Sequence, residues 1–381
     1  MEKRKFLSEE VSLLGYGLMR LPRVSDKSFD IDYEAAEKLI DHAIASGVNY
    51  FDTAYTYGAS ETVAGRILSR HPRNSYNLAT KCPPWKLKTA EDFERIFDEQ
   101  LAACQTDYFD FYLVHNFAQE LKRADTNDEC FEHFEKVGMY EALKRKKAEG
   151  KVRHIGFSFH GTIDLLRKIV DTYEWDFAQI QLNYIDWAAT DAKTQYEILT
   201  EHNIPVVIME PLRGGALATL SESAAAVLKQ ADPDASIASW GIRYAASFPN
   251  VLAVLSGMNE MEQLTDNLAT MNDFRPVTEQ EKALLQQAAE AYSKSGTIPC
   301  TGCRYCVPCP LGVDIPRVFS IYNHYQLVGF RIPFDNGYST LGEKERASSC
   351  IGCGQCVKKC PQHLTIPEFM KEIDEFAKAK A

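Results

Sequence analysis

Short apolar runs alternate with amphipathic runs of helical period from about residue 12 to residue 275. The apolar runs have the length and the β-branched and aromatic content of buried strands. We predict eight strands, at residues 12–19, 48–54, 76–81, 108–115, 152–158, 177–182, 204–209 and 251–256. The amphipathic runs predict helices at residues 32–46, 60–70, 91–104, 138–149, 163–173, 192–202 and 260–271.

This alternation predicts an α/β fold with a parallel sheet. Eight strands, each followed by a helix, make a (β/α)8 TIM barrel, which usually takes about 250 residues. A doubly wound open sheet is the alternative. It is disfavoured because no G-x-G-x-x-G turn joins a predicted strand to a helix.

The net charge of the chain limits the classes of partner that we expect it to bind. The chain carries a net charge of -11, whereas nucleic acids and anionic membranes bind basic surfaces, so we expect neither partner. The basic run from Lys144 to Lys147 closes a predicted helix, and we expect a solvated helix end there. No apolar stretch reaches membrane-spanning length, and the first ten residues lack a signal-peptide core. We expect a cytoplasmic protein.

Polar residues of complementary type follow three consecutive predicted strands. Asp52 and Tyr57 follow the second strand, Lys81 ends the third and His115 ends the fourth. Each alone has a structural interpretation, such as a turn cap for Asp52 or a core histidine for His115. Together they predict an active site, because the carboxyl ends of parallel barrel strands share one rim.

These four side chains suit proton donation to a carbonyl. A tyrosine is a weak acid at neutral pH, with a reference pKa of about 10. An ammonium about 4 Å away, at an effective dielectric constant near 20, favours the phenolate by up to about 4 kcal/mol. A carboxylate keeps that lysine charged, and a neutral histidine orients the carbonyl oxygen. Carbonyl reduction by hydride requires such a general acid.

The residues that carry this chemistry resemble the aldo/keto reductases. The matching stretches are Asp52-x4-Tyr57, Ala79-Thr80-Lys81 and Asp110-Phe111-Tyr112-Leu113-Val114-His115. The resemblance covers about residues 10 to 275 and includes all four positions of the family's catalytic tetrad. It implies a barrel that binds a nicotinamide cofactor and reduces an aldehyde or ketone, or oxidises an alcohol. It also implies that Tyr57 is the proton donor.

The resemblance extends to the cofactor positions, with departures. Phe159 replaces an asparagine of the family pattern, and Met209 replaces its stacking aromatic. The positions implied to bind the cofactor are Ser158, Gln179, Met209, Leu212, Gly214, Ser256, Gly257, Gln263, Asp266 and Asn267. Family habit favours NADP(H) over NAD(H), yet Gly257 and Gln263 stand where many members carry cations for the 2′-phosphate. Arg213 is a candidate to compensate.

Eight cysteines are concentrated near the carboxyl end. The second run is Cys350-x2-Cys353-x2-Cys356-x3-Cys360-Pro361, the bacterial ferredoxin spacing, and the first is a copy of it shortened by one residue. The duplicated run favours two [4Fe–4S] clusters over two zinc sites. The ferredoxin pattern assigns one cluster to Cys300, Cys303, Cys306 and Cys360, and the other to Cys350, Cys353, Cys356 and Cys309.

The tail therefore resembles a small, mostly helical dicluster ferredoxin domain. We predict domains at residues 1–295 and 296–381, and we interpret Cys82, Cys104 and Cys130 as packing residues. Nicotinamide transfers two electrons as hydride, whereas each cluster transfers one. The tail therefore suggests a flavin- or iron–sulfur-containing electron-transfer partner beside a small carbonyl or alcohol substrate. Two alternatives remain open: the substrate chemistry itself uses cluster electrons, or the clusters are structural or docking elements. The alternative function is a non-catalytic nicotinamide-binding redox sensor or electron-transfer subunit.

Overall fold

The computed structural model describes residues 1–25, 28, 30–117 and 127–379, without the side chains of residues 127–130. Contacts divide the chain into two units. Among the described residues, the first comprises residues 1–25, 28, 30–117, 127–211 and 239–277, and the second comprises residues 212–238 and 278–379. The predicted domain boundary near residue 295 stays a prediction. Cys130, which we interpreted as a packing residue, lies outside the described side chains.

The first unit contains a closed barrel of eight parallel strands. They are β3 (Leu14–Gly17), β4 (Tyr50–Asp52), β5 (Asn77–Cys82), β6 (Phe109–Val114), β7 (Val152–Phe159), β8 (Phe177–Gln181), β9 (Val206–Met209) and β10 (Val251–Ser256). Neighbours follow chain order, and β10 closes the barrel against β3. Every predicted strand is confirmed, with its ends displaced by three residues or fewer, so the predicted TIM barrel is correct.

Helices follow the strands in the predicted alternation. The helices of the chain are α1 (Tyr33–Ala45), α2 (Ser60–Leu68), α3 (Ala90–Cys104), α4 (Asn127–Lys136), α5 (Met139–Ala148), α6 (Ile163–Thr172), α7 (Asp186–Ala189), α8 (Ala192–Glu201), α9 (Glu222–Ala231), α10 (Ile237–Ala246), α11 (Met261–Asn272), α12 (Glu279–Ser293), α13 (Ile315–Val328), α14 (Ile332–Ser339) and α15 (Ile366–Lys378). Side-chain caps define several starts: Asp32 accepts from the Ala35 N–H at 3.0 Å to begin α1. None of the described helices is long and apolar enough to cross a membrane.

An antiparallel hairpin that the sequence pattern did not predict closes the amino end of the barrel. It consists of β1 (Lys3–Phe6) and β2 (Glu9–Ser12). Phe6 and Val11 are buried in one apolar cluster with the barrel residues Tyr50 and Phe111. The hairpin therefore covers the end of the barrel opposite to the rim on which the predicted active site lies.

Lys146 departs from the predicted solvated end of α5, whereas Lys144, Arg145 and Lys147 are exposed as predicted. Lys146 is buried, and its Nζ lies 2.5 Å from Glu94 Oε2. The same ammonium lies over the Phe97 ring, 5.1 Å from the ring centroid. The physical reason is that a lysine stem packs on apolar surface when a carboxylate is within reach of its charge.

The second unit is mostly helical, as predicted for the tail. Within it α9 packs against α12, and α13, α14 and α15 form a separate apolar core. Phe319, Tyr322, Phe334 and Met370 are buried in this core. Several of the clustered cysteines pack against it, so the thiols are part of the hydrophobic interior of the unit.

Candidate active site and cysteine module

The four predicted catalytic side chains lie at the carboxyl ends of neighbouring strands. Asp52 ends β4, Lys81 is the penultimate residue of β5, and His115 directly follows β6. Tyr57 lies in the loop between β4 and α2. Because β5 pairs with both β4 and β6, the strand order itself brings these residues together.

Lys81 is the centre of this cluster. Its side chain is fully buried, and Nζ donates to Asp52 Oδ1 at 2.6 Å and to the Thr53 carbonyl at 2.9 Å. Nζ also lies 3.5 Å from the Tyr57 hydroxyl and 4.9 Å from the centroid of that ring. The ammonium therefore contacts the phenol that the sequence identified as the proton donor.

Burial and attraction act in opposite directions on the Asp52–Lys81 pair. Burial raises the pKa of Asp52 and lowers the pKa of Lys81, whereas the attraction between the two groups opposes both shifts. The second oxygen of the carboxylate, Asp52 Oδ2, is buried and has no hydrogen-bond partner among the described residues. Each charge is therefore stabilised chiefly by the other.

His115 completes the cluster as a neutral base. Burial, followed by the charges of Lys81 and His160, lowers the pKa of His115 well below its usual value. Its ring meets the Tyr57 ring edge-on, with centroids 5.5 Å apart, and Trp85 lies on another side at 5.6 Å. The sequence assigned no role to Thr56, whose Oγ1 lies 3.2 Å from His115 Nδ1. If this hydroxyl donates, the ring proton belongs on Nε2.

A buried polar network that the sequence reasoning missed lies behind Lys81. Glu61 Oε1 accepts from Thr80 Oγ1 at 2.5 Å and from Gln100 Nε2 at 2.6 Å. Gln100 Oε1 accepts from the Tyr112 hydroxyl, and its amide also donates to the Lys81 carbonyl at 3.2 Å. Burial raises the pKa of Glu61. A sequence signal existed, because Glu61 falls on the buried face of α2.

Three of the predicted nicotinamide-binding residues lie together on adjacent strands. Met209 Sδ accepts from Gln179 Nε2 at 3.6 Å and from Ser158 Oγ at 3.8 Å. Gln179 is only 2% exposed, and its Oε1 has no hydrogen-bond partner among the described residues. A buried amide oxygen without a donor is costly, and the carboxamide N–H of a nicotinamide would satisfy it. The residues present therefore fit that group.

The predicted adenosine-binding residues lie on and after β10. Asn267 Nδ2 donates to Ser256 Oγ at 2.9 Å, and both residues are buried. Gln263 Oε1 accepts from the Asn259 N–H at 3.0 Å, which fixes the start of this loop. Asp266 precedes Asn267 on α11. Their cofactor role stays a prediction.

A cation lies beside the predicted position Gly257. A Cβ added at Gly257 would meet the Arg20 Cβ at 3.3 Å and the Gly17 carbonyl oxygen at 3.6 Å. Arg20 Nη2 forms an ion pair with Glu210 Oε1 at 3.2 Å, so the loops after β3 and β9 are linked. Sequence reasoning did not identify this pair, since Arg20 lies outside the motifs that it used and it assigned no role to Glu210.

Leu212 and Gly214 belong to the second unit. The Leu212 carbonyl accepts from the N–H groups of Gly215 and Leu217, both at 3.0 Å. Gly214 and Gly215 have φ values of 67° and 99°, a region that favours glycine. The segment is thus a tight turn, and its contact with the cofactor stays a prediction.

The clustered cysteines form two neighbourhoods in the second unit. Burial and the nearby thiols of Cys350, Cys353 and Cys309 raise the pKa of Cys356 to about 11. The pKa of Cys306 is also raised, by burial and by the four thiols of Cys303, Cys300, Cys360 and Cys356. The exchange of the fourth cysteine between the two runs stays a prediction.

A cavity opens beside Cys309, Cys350, Cys353 and Cys356. Its empty volume, including the part open to solvent, is about 480 Å³. The cysteines that line it are Cys306, Cys309, Cys350, Cys353 and Cys356. None of the eight clustered cysteines forms a disulfide. In the described part of the chain, no three His, Cys, Asp or Glu side chains are grouped closely enough to bind a single metal ion as they stand. The thiols that line the cavity are nevertheless of the chemical type that ligates iron–sulfur clusters.

The barrel and the polar rim define an oxidoreductase. Residues 13–290 match the model of the aldo/keto reductase family, and residues 299–365 match that of the 4Fe-4S dicluster domain. The chain therefore belongs to the aldo/keto reductase family, whose members are NAD(P)H-dependent oxidoreductases, and carries a dicluster domain in addition.

Three similar proteins illustrate the range of the family. An uncharacterized oxidoreductase, YqkF, of Bacillus subtilis (strain 168) is 26% identical over 74% of this chain and 95% of its own. The L-galactose dehydrogenase of Arabidopsis thaliana is 25% identical over 74% of this chain and 90% of its own. The aldo-keto reductase AKR11C1 from Bacillus halodurans (holo form) has a similar structure, with a TM-score of 0.59 at 23% identity over 76% of this chain and 97% of that one.

Proposed function

We propose that this chain reduces the carbonyl group of a small aldehyde or ketone, or oxidises the corresponding alcohol, with Tyr57 as the general acid. The observation that carries the proposal is the buried Lys81, whose ammonium contacts both Asp52 and the Tyr57 hydroxyl. A carbonyl oxygen that takes up hydride at its carbon becomes an alkoxide and needs a proton. Tyr57 supplies this proton, and the adjacent ammonium stabilises the phenolate that remains.

The neighbouring residues act through position and charge. Asp52 keeps Lys81 charged against the effect of burial, which lowers the pKa of the lysine. His115 is neutral and can donate one N–H to the same carbonyl oxygen, which orients it towards Tyr57. The Trp85 ring beside His115 supplies an apolar wall for the substrate.

The nicotinamide would supply the hydride. Ser158, Gln179 and Met209 would hold its ring end, because the Gln179 amide oxygen lacks a donor and the thioether of Met209 offers a polarizable surface. We assign the remaining cofactor contacts to Leu212, Gly214, Ser256, Gly257, Gln263, Asp266 and Asn267 from the family resemblance. NADP(H) is our first choice over NAD(H), and the ratio of kcat/KM with the two cofactors measures this preference.

The test is Tyr57→Phe, assayed with NADPH and with NADH against a panel of aldehydes and ketones. Loss of the general acid should lower kcat by about 100-fold or more, since proton transfer contributes about 10²–10⁴-fold to catalysis. Cofactor affinity, measured by fluorescence titration, should remain unchanged.

Tyr55→Phe is the matched control, because Tyr55 lies in the same loop and its hydroxyl bonds to the exposed Glu99. Equal rates for wild type and Tyr57→Phe would refute the assignment. Cofactor binding without turnover of any carbonyl would favour the redox sensor or electron-transfer subunit.

We further propose that residues 296–381 form a module holding two [4Fe–4S] clusters, with Cys309 and Cys360 exchanged between the two cysteine runs. Anaerobically purified protein should contain about eight iron atoms per chain. Cys309→Ser and Cys360→Ser should each lower this content by about half. Cys104→Ser is the control, since Cys104 is buried in α3 and should leave the iron content unchanged. Stoichiometric zinc in place of iron would refute this proposal.

A further inference from the structure

Exposed apolar side chains surround the mouth of the cysteine-lined cavity. Ile351 is 70% exposed and Leu311 is 37% exposed, and both line the cavity together with Cys350 and Cys353. A single exposed aliphatic residue is ordinary on a protein surface. Here two such residues lie beside predicted cluster ligands, so the predicted cofactor site has an apolar edge that faces solvent. Apolar surface of this kind is a feature of sites that bind other proteins.

Positive charge accompanies this apolar edge. Lys359 also lines the cavity, and Lys358 is exposed beside it. Neither lysine forms an ion pair with any described residue. Between Arg346 and Pro367 the chain contains three basic residues and no aspartate or glutamate, although its net charge is -11. The local charge is therefore opposite to that of the whole protein.

We propose that the rim patch, defined as Leu311, Ile351, Lys358 and Lys359, docks a flavodoxin, a small acidic protein that carries flavin mononucleotide. The inference rests on the proposed function of the cysteine module. The lysines match an acidic surface, and the aliphatic pair matches the apolar dimethylbenzene edge of the flavin. A flavin also connects the two-electron chemistry of nicotinamide with the one-electron chemistry of the clusters, because it can take two electrons from hydride and release them one at a time.

The exchange at this surface moves one electron and no atom. The anionic flavin hydroquinone loses one electron and becomes the neutral semiquinone, and the adjacent cluster is reduced by one electron. No bond forms or breaks, so the surface needs to hold the two proteins close together but needs no acid or base. An apolar centre with a charged rim meets this requirement.

The test measures the Kd of the cluster-loaded full-length chain for purified flavodoxin containing FMN, by calorimetry at low and high salt. Lys358→Glu/Lys359→Glu should weaken binding about tenfold at low salt and less at high salt, because exposed charges are screened. The matched control is Lys371→Glu/Lys378→Glu on α15, which makes the same charge change away from the cavity lining. It should leave the Kd within about twofold of wild type.

A second pair of variants tests the apolar contribution. Ile351→Asn should weaken binding about fivefold, as expected for one buried aliphatic side chain. Ile332→Asn should have no effect, although Ile332 is 67% exposed and thus nearly as accessible. The rate at which pre-reduced flavodoxin reduces the clusters, followed by stopped-flow absorbance, should fall in the same order. Iron content must match wild type in every variant.

Several outcomes would overturn the inference. These are wild-type protein that does not bind flavodoxin, equal weakening in the matched controls, or tighter binding and faster cluster reduction by an acidic ferredoxin that lacks flavin. Carbonyl turnover that depends on Tyr57 is measured in parallel. Loss of turnover with docking intact refutes the proposed catalysis alone, whereas turnover and iron content without docking refute this inference alone.

Discussion

The barrel site and the cysteine module differ in the groups that surround their buried ionisable side chains. In the barrel, the ammonium of Lys81 and the carboxylate of Asp52 neutralise each other, and adjacent strands hold them in place. In the module, Cys306 and Cys356 lie near other thiols of the two cysteine runs, and burial raises the pKa of both. The barrel thus contains its own counter-charges, whereas bound iron would supply the positive charge at the thiols of the module. We therefore expect the protein to organise the barrel site and a bound iron–sulfur cluster to organise the module.

The largest expected effect is on the stability of the module after iron removal. Because the cysteines pack against the core of α13, α14 and α15, removing iron should abolish folding of residues 300–378, worth about 5 kcal/mol or more. Hydrogen exchange with mass spectrometry, before and after treatment with a chelator and an oxidant, measures this change. The barrel strands β3–β10 should keep their protection and are the internal control. Equal loss in the barrel, or full protection of the iron-free module, would contradict the comparison.

The next effect concerns the barrel ion pair. Lys81→Met leaves Asp52 buried and unpaired, so it should lower the free energy of unfolding by about 3–5 kcal/mol. The double variant Asp52→Asn/Lys81→Met removes both charges and should recover most of this stability. Neither variant should reduce carbonyls at a measurable rate, since neither retains the ammonium beside Tyr57. Denaturant unfolding measures stability, and a double variant no more stable than the single one would show that the pair does not act as a unit.

The smallest expected effect is a pH dependence of stability that arises from His115. Its pKa in the folded chain lies below its ordinary value of 6.5, so the unfolded chain binds a proton that the folded chain excludes. Stability should therefore fall as pH drops below about 6.5, by up to about 1.4 kcal/mol per pH unit from this group. His115→Asn should flatten this dependence between pH 6.5 and pH 5.

His202→Asn is the control of opposite sign for that measurement. The pKa of His202 is raised, first by its hydrogen bond to the Ile198 carbonyl and also by Asp171, so the folded chain binds its proton more tightly than the unfolded chain does. Its stabilising effect is present at low pH and is lost as pH rises through its folded-state pKa. Removing it should steepen the acid-side loss slightly. Unfolding curves at several pH values that do not separate the two variants would refute the role of burial at His115.

The sequence predicted the barrel well because apolar runs determine where strands lie, and chain order determines their neighbours. Asp52, Lys81 and His115 were predictable as a group for the same reason, since parallel strands end at one rim. The hairpin of β1 and β2 was not predictable, because a segment such as Lys3–Phe6 is mostly charged and shows no apolar alternation. In β1 only Phe6 is buried, and it packs with Val11 of β2 in the apolar cluster of the barrel.

The contacts that refine the site depend on side-chain directions, which a sequence pattern does not contain. Thr56 contacts His115 through the conformation of a loop, and Arg20 contacts Glu210 across two loops that are far apart in the chain. Of the residues that the sequence reasoning missed, Glu61 was the easiest to predict, since a helical projection of α2 places it on the buried face. Lys146 is the opposite case. Its charge predicted exposure, but in the structure its side chain is buried and its ammonium lies over the Phe97 ring.

The amino-terminal hairpin has a consequence for the order of events during synthesis. The Arg4 guanidinium donates to the carbonyls of Ala246, Phe248 and Val251, so the hairpin can form these hydrogen bonds only after partners about 240 residues later in the chain have been translated. The barrel also closes late, because the pairing of β10 with β3 requires residues 251–256 to be translated. Contacts between such distant positions slow folding. A nascent chain should therefore hold an open sheet until residue 256 has emerged, and chaperones that recognise unpaired strand edges have that interval in which to act.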